Sequence, residues 1–223
     1  EHILLYIDLM SKLRNPTLIN FIGYSLKDFK GRNQITIITN YPTNGNLFHL
    51  IEYHKIYELS NTELQIILVG ICYGMQILHQ SNFVHRNLIP TNVLLDENYH
   101  PYISDYIIGA YCEPGKFLNS FAGTSLYIAS EILLNQEYDK SVDVYSFSMI
   151  MTEVMKKSIF IHDNLDNFYI TVPEGLRPVF DFPIKDSFQH LIERCWSADP
   201  DERPTFEQLF QMLAYDPEYY LDD

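Results

Sequence analysis

Residues 64–79, LQIILVGICYGMQILH, are the most apolar stretch of the chain, and a sequence that carries them must bury them in a core or place them in a bilayer. Gln interrupts the run and His ends it, and it falls short of the roughly 20 apolar residues that a bilayer-spanning helix needs. A protein core is the better home. Ser60-Asn-Thr-Glu63, just before it, has the form of a capping box, in which Ser60 caps the helix and Glu63 reaches back to the Ser60 amide. The pattern predicts a long buried helix running to His79.

The rest of the chain reads as shorter elements around that helix. ILLYIDLMSKL (3–13) places apolar residues at helical spacing, and Asn15-Pro16 stops it. LINFIGYSL (18–26) and QITIITNY (34–41) are β-rich runs separated by a polar, glycine-containing turn, which predicts a hairpin. PTNGN (42–46) is a loop, and LFHLIEYHKI after it looks helical. Short strands are expected at NVLL (92–95) and YIS (102–104), followed by an irregular segment to about Ser130. From Asp143 the chain is helical again, and FQHLIERCW (188–196) and FEQLFQMLA (206–214) close it, the second after Pro204, a residue that commonly begins a helix. The expected class is α+β: one helix, two strands, then a mostly helical body.

Composition narrows the function. The 223 residues are 47% hydrophobic and carry a formal charge of −14. Such a chain can bury one core or two packed lobes, and its charge argues against nucleic-acid binding, which relies on cations to neutralise phosphates. It suits a soluble protein with a basic protein partner and no membrane insertion. Cys72, Cys112 and Cys195 form neither a disulfide framework nor a zinc motif. No charged-then-apolar signal peptide opens the chain, so a cytoplasmic location is expected.

Five short motifs then occur in a telling order. HRNLIPTN (85–92), SDYIIG (104–109), GTSLYIASE (123–131), SVDVYSFSM (141–149) and CWSADPDERPTF (195–206) follow one another. Together they resemble the eukaryotic protein kinase domain, most like its tyrosine-kinase-like group, in its HRDLKPxN, DFG, GTPxYxAPE, DVYSFG and CWxxDPxxRPxF signatures. The resemblance runs from Tyr6 to about Leu213. It implies a kinase-like fold with an N-lobe remnant over residues 1–40, a hinge over 41–46 and a mainly helical C-lobe over 47–223. It also implies that Glu131 and Arg203 form a buried ion pair, that Asp143 holds the catalytic-loop backbone, and that Phe21, Met10, Tyr106 and His85 stack as a column across the lobes.

The resemblance also marks what has changed. Phosphoryl transfer needs charge neutralisation and an acid that orients the attacking hydroxyl. Asn87 stands at that acid, and a neutral amide cannot act as a carboxylate base, a role worth about 10²–10⁴-fold. Ile89 replaces a lysine that would meet the transferring phosphate. Asn92 and Asp105 match the two metal-binding positions, or else persist as hydrogen bonders that shape their loops. The helix glutamate position falls on Tyr6. The glycine-rich strand pair and the lysine strand that precede this helix in the family have no counterpart in the sequence. Thr39, Asn40, Tyr41 and Leu94 fall at the nucleotide pocket, with Pro42 where a backbone N–H would meet adenine, and proline has none. Ile107 replaces the DFG glycine. ATP and magnesium are accordingly expected to bind weakly or not at all.

Other signals have plainer readings. His85 is expected to pack rather than act as a base, and Gly70 with Gly74 to permit close packing of the helix. Arg86 could receive a phosphate on Ser120 or Thr124, although an ordinary loop hydrogen bond suits it as well. The tail YDPEYYLDD reads as a solvated acidic end. Three functions follow: a pseudokinase-like module that acts through a protein partner, an active serine/threonine kinase completed by sequence upstream of residue 1, or a fragment whose hairpin has an open edge.

Overall fold

In the computed structural model, which describes residues 2–53, 59–106, 109–159 and 168–221, the first apolar segment forms α1 (His2–Lys12). Its Tyr6, Ile7, Leu9 and Met10 are buried, while Asp8 and Lys12 pair across one turn of the outer face at 2.6 Å. Asn15 ends the segment as an Asx turn, accepting from the Thr17 amide at 2.8 Å and the Thr17 hydroxyl at 2.7 Å. The hairpin is present but shorter than its apolar runs: β1 (Phe21–Ser25) pairs antiparallel with β2 (Thr36–Thr39), with a bulge between Phe21 and Gly23.

The stretch between α1 and β1 fastens these elements to the helical body. The Ile103 amide donates to the Thr17 carbonyl, and the Ile19 amide to the Ile103 carbonyl, both at 2.9 Å. Ile103 ends β5 (Pro101–Ile103), which pairs with β4 (Val93–Leu95). A further pair, β3 (Phe83–Val84) with β6 (Ala110–Tyr111), lies in segments whose pattern is too short to show a period of two.

α2 (Leu47–Glu52) is capped by Asn46, whose side chain accepts from the His49 amide at 3.0 Å. Residues 54–56 of the stretch predicted to be helical here lie outside the described residues. α3 (Asn61–Gln80) carries the anticipated capping box, with the Glu63 amide donating to Ser60 and the Ser60 amide to Glu63. Leu64, Ile67, Leu68, Ile71, Met75 and Leu78 form its buried stripe at helical spacing. Gly70 and Gly74 do permit close packing, but against a strand and a turn. A Cβ at Gly70 would sit 2.4 Å from the Pro101 ring, and one at Gly74 would sit 2.7 Å from both Ile103 and Thr17.

α4 (Ser130–Leu133) leads into α5 (Ser141–Lys156), which is buried along nearly its whole length. Its hydroxyls bond backbone within the core: Ser148 to the Tyr145 carbonyl at 2.6 Å and Thr152 to the Ser148 carbonyl at 2.8 Å. A short α6 (Phe168–Thr171), α7 (Asp186–Cys195) and α8 (Phe206–Tyr215) complete the body. α8 starts at Phe206, where its pattern places it. Thr205 is the cap, in a second capping box with Gln208, and Pro204 precedes it.

The tail departs from the expected solvated end. The Gln65 side chain donates to the Tyr219 carbonyl at 3.1 Å and accepts from the Leu221 amide at 3.2 Å, fastening the segment to α3. Its acidic side chains Asp216 and Glu218 do face solvent, so charge alone misses the backbone contacts. The glycine packing gives a direct test. Gly74→Val should lower the free energy of unfolding in urea by about 1–3 kcal/mol through overpacking. Gly23→Ala, with nothing within 4 Å of the added carbon, should change it by less than about 0.5 kcal/mol.

Candidate active site

The loop at 85–92 takes its shape from one buried carboxylate. Asp143, on the first turn of α5, accepts from the His85 amide at 2.8 Å through Oδ2 and from the Arg86 amide at 2.8 Å through Oδ1. His79, near the end of α3, brings its ring Nε2 to 2.8 Å from the same Oδ2. Burial alone would raise the Asp143 carboxyl, but the His79 bond and the donors from the loop outweigh it and hold it below the usual aspartate range. These bonds let Arg86 sit at φ +63°, a left-handed conformation that non-glycine residues seldom adopt.

His85 has the packing role expected of it. Its Nδ1 accepts from the Asn87 amide at 3.1 Å, and Nε2 lies 3.1 Å from the Ser104 carbonyl, an arrangement that fits a neutral ring protonated on Nε2. Burial pushes its pKa down, more than Asp143 and the Ser104 carbonyl push it up.

Asn87 and Asn92 belong to one hydrogen-bonded cluster. The Thr124 hydroxyl donates to Asn87 Oδ1 at 2.9 Å, and Asn92 Nδ2 donates to the Asn87 carbonyl at 2.9 Å. The Asn92 carbonyl accepts from the Ser104 amide at 2.9 Å and its hydroxyl at 3.0 Å, which sets Asp105 beside this cluster. Asn92 thus has the loop-shaping bond anticipated as one of its two readings. Asp105 is exposed at φ +56°, and its carboxyl is pushed up because partial desolvation outweighs the pull of His85. Ile89 is half-buried against the apolar core, at the start of a turn that covers residues 90–92. Ile107 lies outside the described residues.

The residues expected at a nucleotide pocket fall along two different sheets. Thr39 pairs with Phe21 in the hairpin, and the Asn40 side chain accepts from the Asn20 amide at 2.7 Å. Tyr41 is 83% exposed and Pro42 is buried. Leu94 lies on β4, in a bridge to Asn46, and the Asn44 amide, which follows Pro42 by two residues, is taken by the Leu95 carbonyl at 2.9 Å. Residues 44–46 are thereby tied to β4 by their own backbone.

The column contains a contact that the sequence reading did not anticipate. Tyr106 packs edge-on to His85 with ring centroids 5.9 Å apart, and Met10 and Phe21 pack into the same core. Tyr6, at the helix position where the family has its glutamate, stands edge-on to Tyr106 at 5.2 Å. The signal was present in the tyrosines at both positions, but only the fold brings them together. The Tyr106 hydroxyl is buried with no hydrogen-bond partner among the described residues. An unsatisfied buried hydroxyl carries a penalty of about 1–3 kcal/mol, so Tyr106→Phe should raise the urea midpoint, whereas Tyr6→Ala should lower stability by about 3–5 kcal/mol.

Two further anchors frame the segment at 109–131. Arg86 donates to the Ser120 hydroxyl at 2.7 Å, and Tyr138 donates to the Ser120 carbonyl at 2.6 Å. Glu131 and Arg203 form the anticipated buried pair, bidentate at 2.6 and 3.0 Å. The Arg203 guanidinium also donates to the Ser197 and Ser141 carbonyls and lies 5.5 Å from the Tyr145 ring centroid.

A loop anchored on a buried aspartate and a buried Glu–Arg pair behind the segment at 109–131 match the framework of the protein kinase fold. The chain belongs to the protein kinase family: the protein kinase domain model matches residues 1–213. Its fold is protein-kinase-like, α+β, with a mainly helical C-lobe and an N-lobe that consists here of α1 and the β1–β2 hairpin. The chain is 33% identical over 217 residues to the dual specificity protein kinase shkC of Dictyostelium discoideum, covering 94% of this chain and 42% of that protein. It is 32% identical to shkB of the same organism, covering 91% of this chain and 32% of shkB. It is 26% identical to the serine/threonine-protein kinase STY17 of Arabidopsis thaliana, covering 92% of this chain and 35% of that protein. The chain thus spans less than half the length of these relatives.

Proposed function

We propose that this kinase domain acts as a pseudokinase-like signalling module of the tyrosine-kinase-like group, binding a protein partner with its phosphoryl transfer impaired. The observation that carries the reading is Asn87. Its side chain occupies the position of the catalytic acid, accepts the Thr124 hydroxyl and has no proton-accepting charge to offer a substrate. Ile89 adds an apolar side chain where a cation would meet the phosphate. Pro42 supports weak nucleotide binding, since it has no N–H for adenine. Asn92 and Asp105 would hold magnesium if it bound; one Asn92 N–H is already committed to the Asn87 carbonyl. The three free cysteines support a reducing, cytoplasmic setting, and no helix among the described residues is long and apolar enough to cross a membrane.

The second reading is an active serine/threonine kinase completed by further sequence. The names of the relatives favour it, and so does the loop whose His85 and Arg86 amides Asp143 holds. A rescue series with radiolabelled ATP separates the two. The unmutated chain should transfer phosphate far below the roughly 1–100 per second of ordinary kinases. Asn87→Asp combined with Ile89→Lys should raise that rate if nucleotide still binds. Turnover by the unmutated protein within tenfold of that range would sink the module reading.

A further inference from the structure

A cavity of about 680 Å³ lies away from every residue assigned above to nucleotide, metal or phosphate. Small-molecule sites commonly enclose roughly 300–1,000 Å³, so its size suits one such ligand. Ile66 and Val69 of α3 form one side, Leu213 and Ala214 of α8 another, and Tyr220 and Leu221 of the tail a third. The Tyr73 and Phe210 rings, 5.3 Å apart and tilted by 33°, join the two helices at its wall. Ile66 remains 40% exposed and Tyr220 39% exposed, so a ligand can reach the interior from solvent.

The walls offer a ligand little but carbon. Among the described residues no lysine, arginine, aspartate or glutamate lines the cavity. Its polar side chains turn to partners within the protein. Thr17 donates to Asn15 Oδ1 at 2.7 Å, His100 lies 3.1 Å from the Asp96 carboxylate, and Tyr220 donates to the Ala214 carbonyl at 3.3 Å. Gln65 is fully engaged. Its amide nitrogen donates to the Leu213 and Tyr219 carbonyls at 2.6 and 3.1 Å, and its oxygen accepts from the Leu221 amide at 3.2 Å.

These commitments choose the occupant. A charged ligand would lose hydration without meeting a counter-ion. A peptide segment would bring N–H and C=O groups that need partners, and Gln65, the lining amide that could read them, already holds the tail. An uncharged apolar molecule gives up no such bond on entry. If it carries rings, it gains edge and face contacts with Tyr73, Tyr102, Phe210 and Tyr220.

We propose that this cavity binds an uncharged, ring-bearing apolar small molecule, which touches α3, α8 and the tail together and so holds the tail on the helical body. A ligand seated against Tyr220 and Leu221 finds its third wall only while Gln65 keeps the tail in place, so occupancy and tail docking favour each other. The proposal depends on neither nucleotide nor a protein partner. Nile red, an uncharged ring dye, is titrated with the full chain and followed by fluorescence, beside the anionic dye anilinonaphthalene sulfonate. Nile red should bind saturably with a single dye per chain, and the sulfonate at least about tenfold more weakly, equivalent to about 1.4 kcal/mol. Ala214→Trp, which puts an indole into the cavity from the last turn of α8, should weaken Nile red by a similar factor. Ile66→Asp, a charge placed at a partly exposed lining position, should do the same without demanding space in the core. Saturating Nile red should also slow hydrogen exchange at the Leu221 amide, because the ligand stabilises the docked tail. Absence of saturable uptake, equal binding of the two dyes, uptake indifferent to both substitutions, or a Leu221 amide whose exchange the dye leaves unchanged would each overturn the proposal.

Discussion

Asp143 gathers His79 from the end of α3 and the His85 and Arg86 amides from the loop onto one fully buried carboxylate. A charge placed there without donors would be severely destabilising, so the three bonds are a condition of the fold as well as a consequence of it. Once made, they fix Arg86 in its left-handed conformation, and the rest of the loop follows. His85 turns to accept from the Asn87 amide, Asn87 meets Thr124, and Arg86 reaches Ser120. The site's shape therefore depends on contacts that make no use of a phosphate.

The Glu131–Arg203 pair repeats this logic at the far end of the segment. Both groups are buried, and their desolvation is offset because the guanidinium's remaining donors find the Ser197 and Ser141 carbonyls. Asn87 accepts the Thr124 hydroxyl, and Ile89 packs against the core. Tyr6 against Tyr106 holds α1 to the helical body by edge-on ring packing.

Much of this was legible in the sequence because the deciding interactions are local or motif-bound. The Ser60–Glu63 box and the apolar stripe of α3 fall where the residue pattern places them, and the Asp143 anchor and the Glu131–Arg203 pair where the family resemblance places them. What escaped is tertiary. The two-residue strands β3 and β6 are too short for periodicity, and the Tyr6–Tyr106 contact joins positions far apart in sequence. The tail's charge said solvent, while Gln65 captured its backbone, and no side-chain pattern reports a bond to a carbonyl. The nucleotide positions are legible only as family correspondences, since the bonds at Asn40 and Asn44 are backbone-directed.

Native-state hydrogen exchange at the His85 and Arg86 amides tests most directly whether the protein's own buried carboxylate, without nucleotide or metal, sets the loop. With Asp143 as their acceptor, both amides should exchange as slowly as the central amides of α5, through global unfolding alone. Rapid exchange at either amide while α5 stays protected would show the loop opening independently, and would contradict the account.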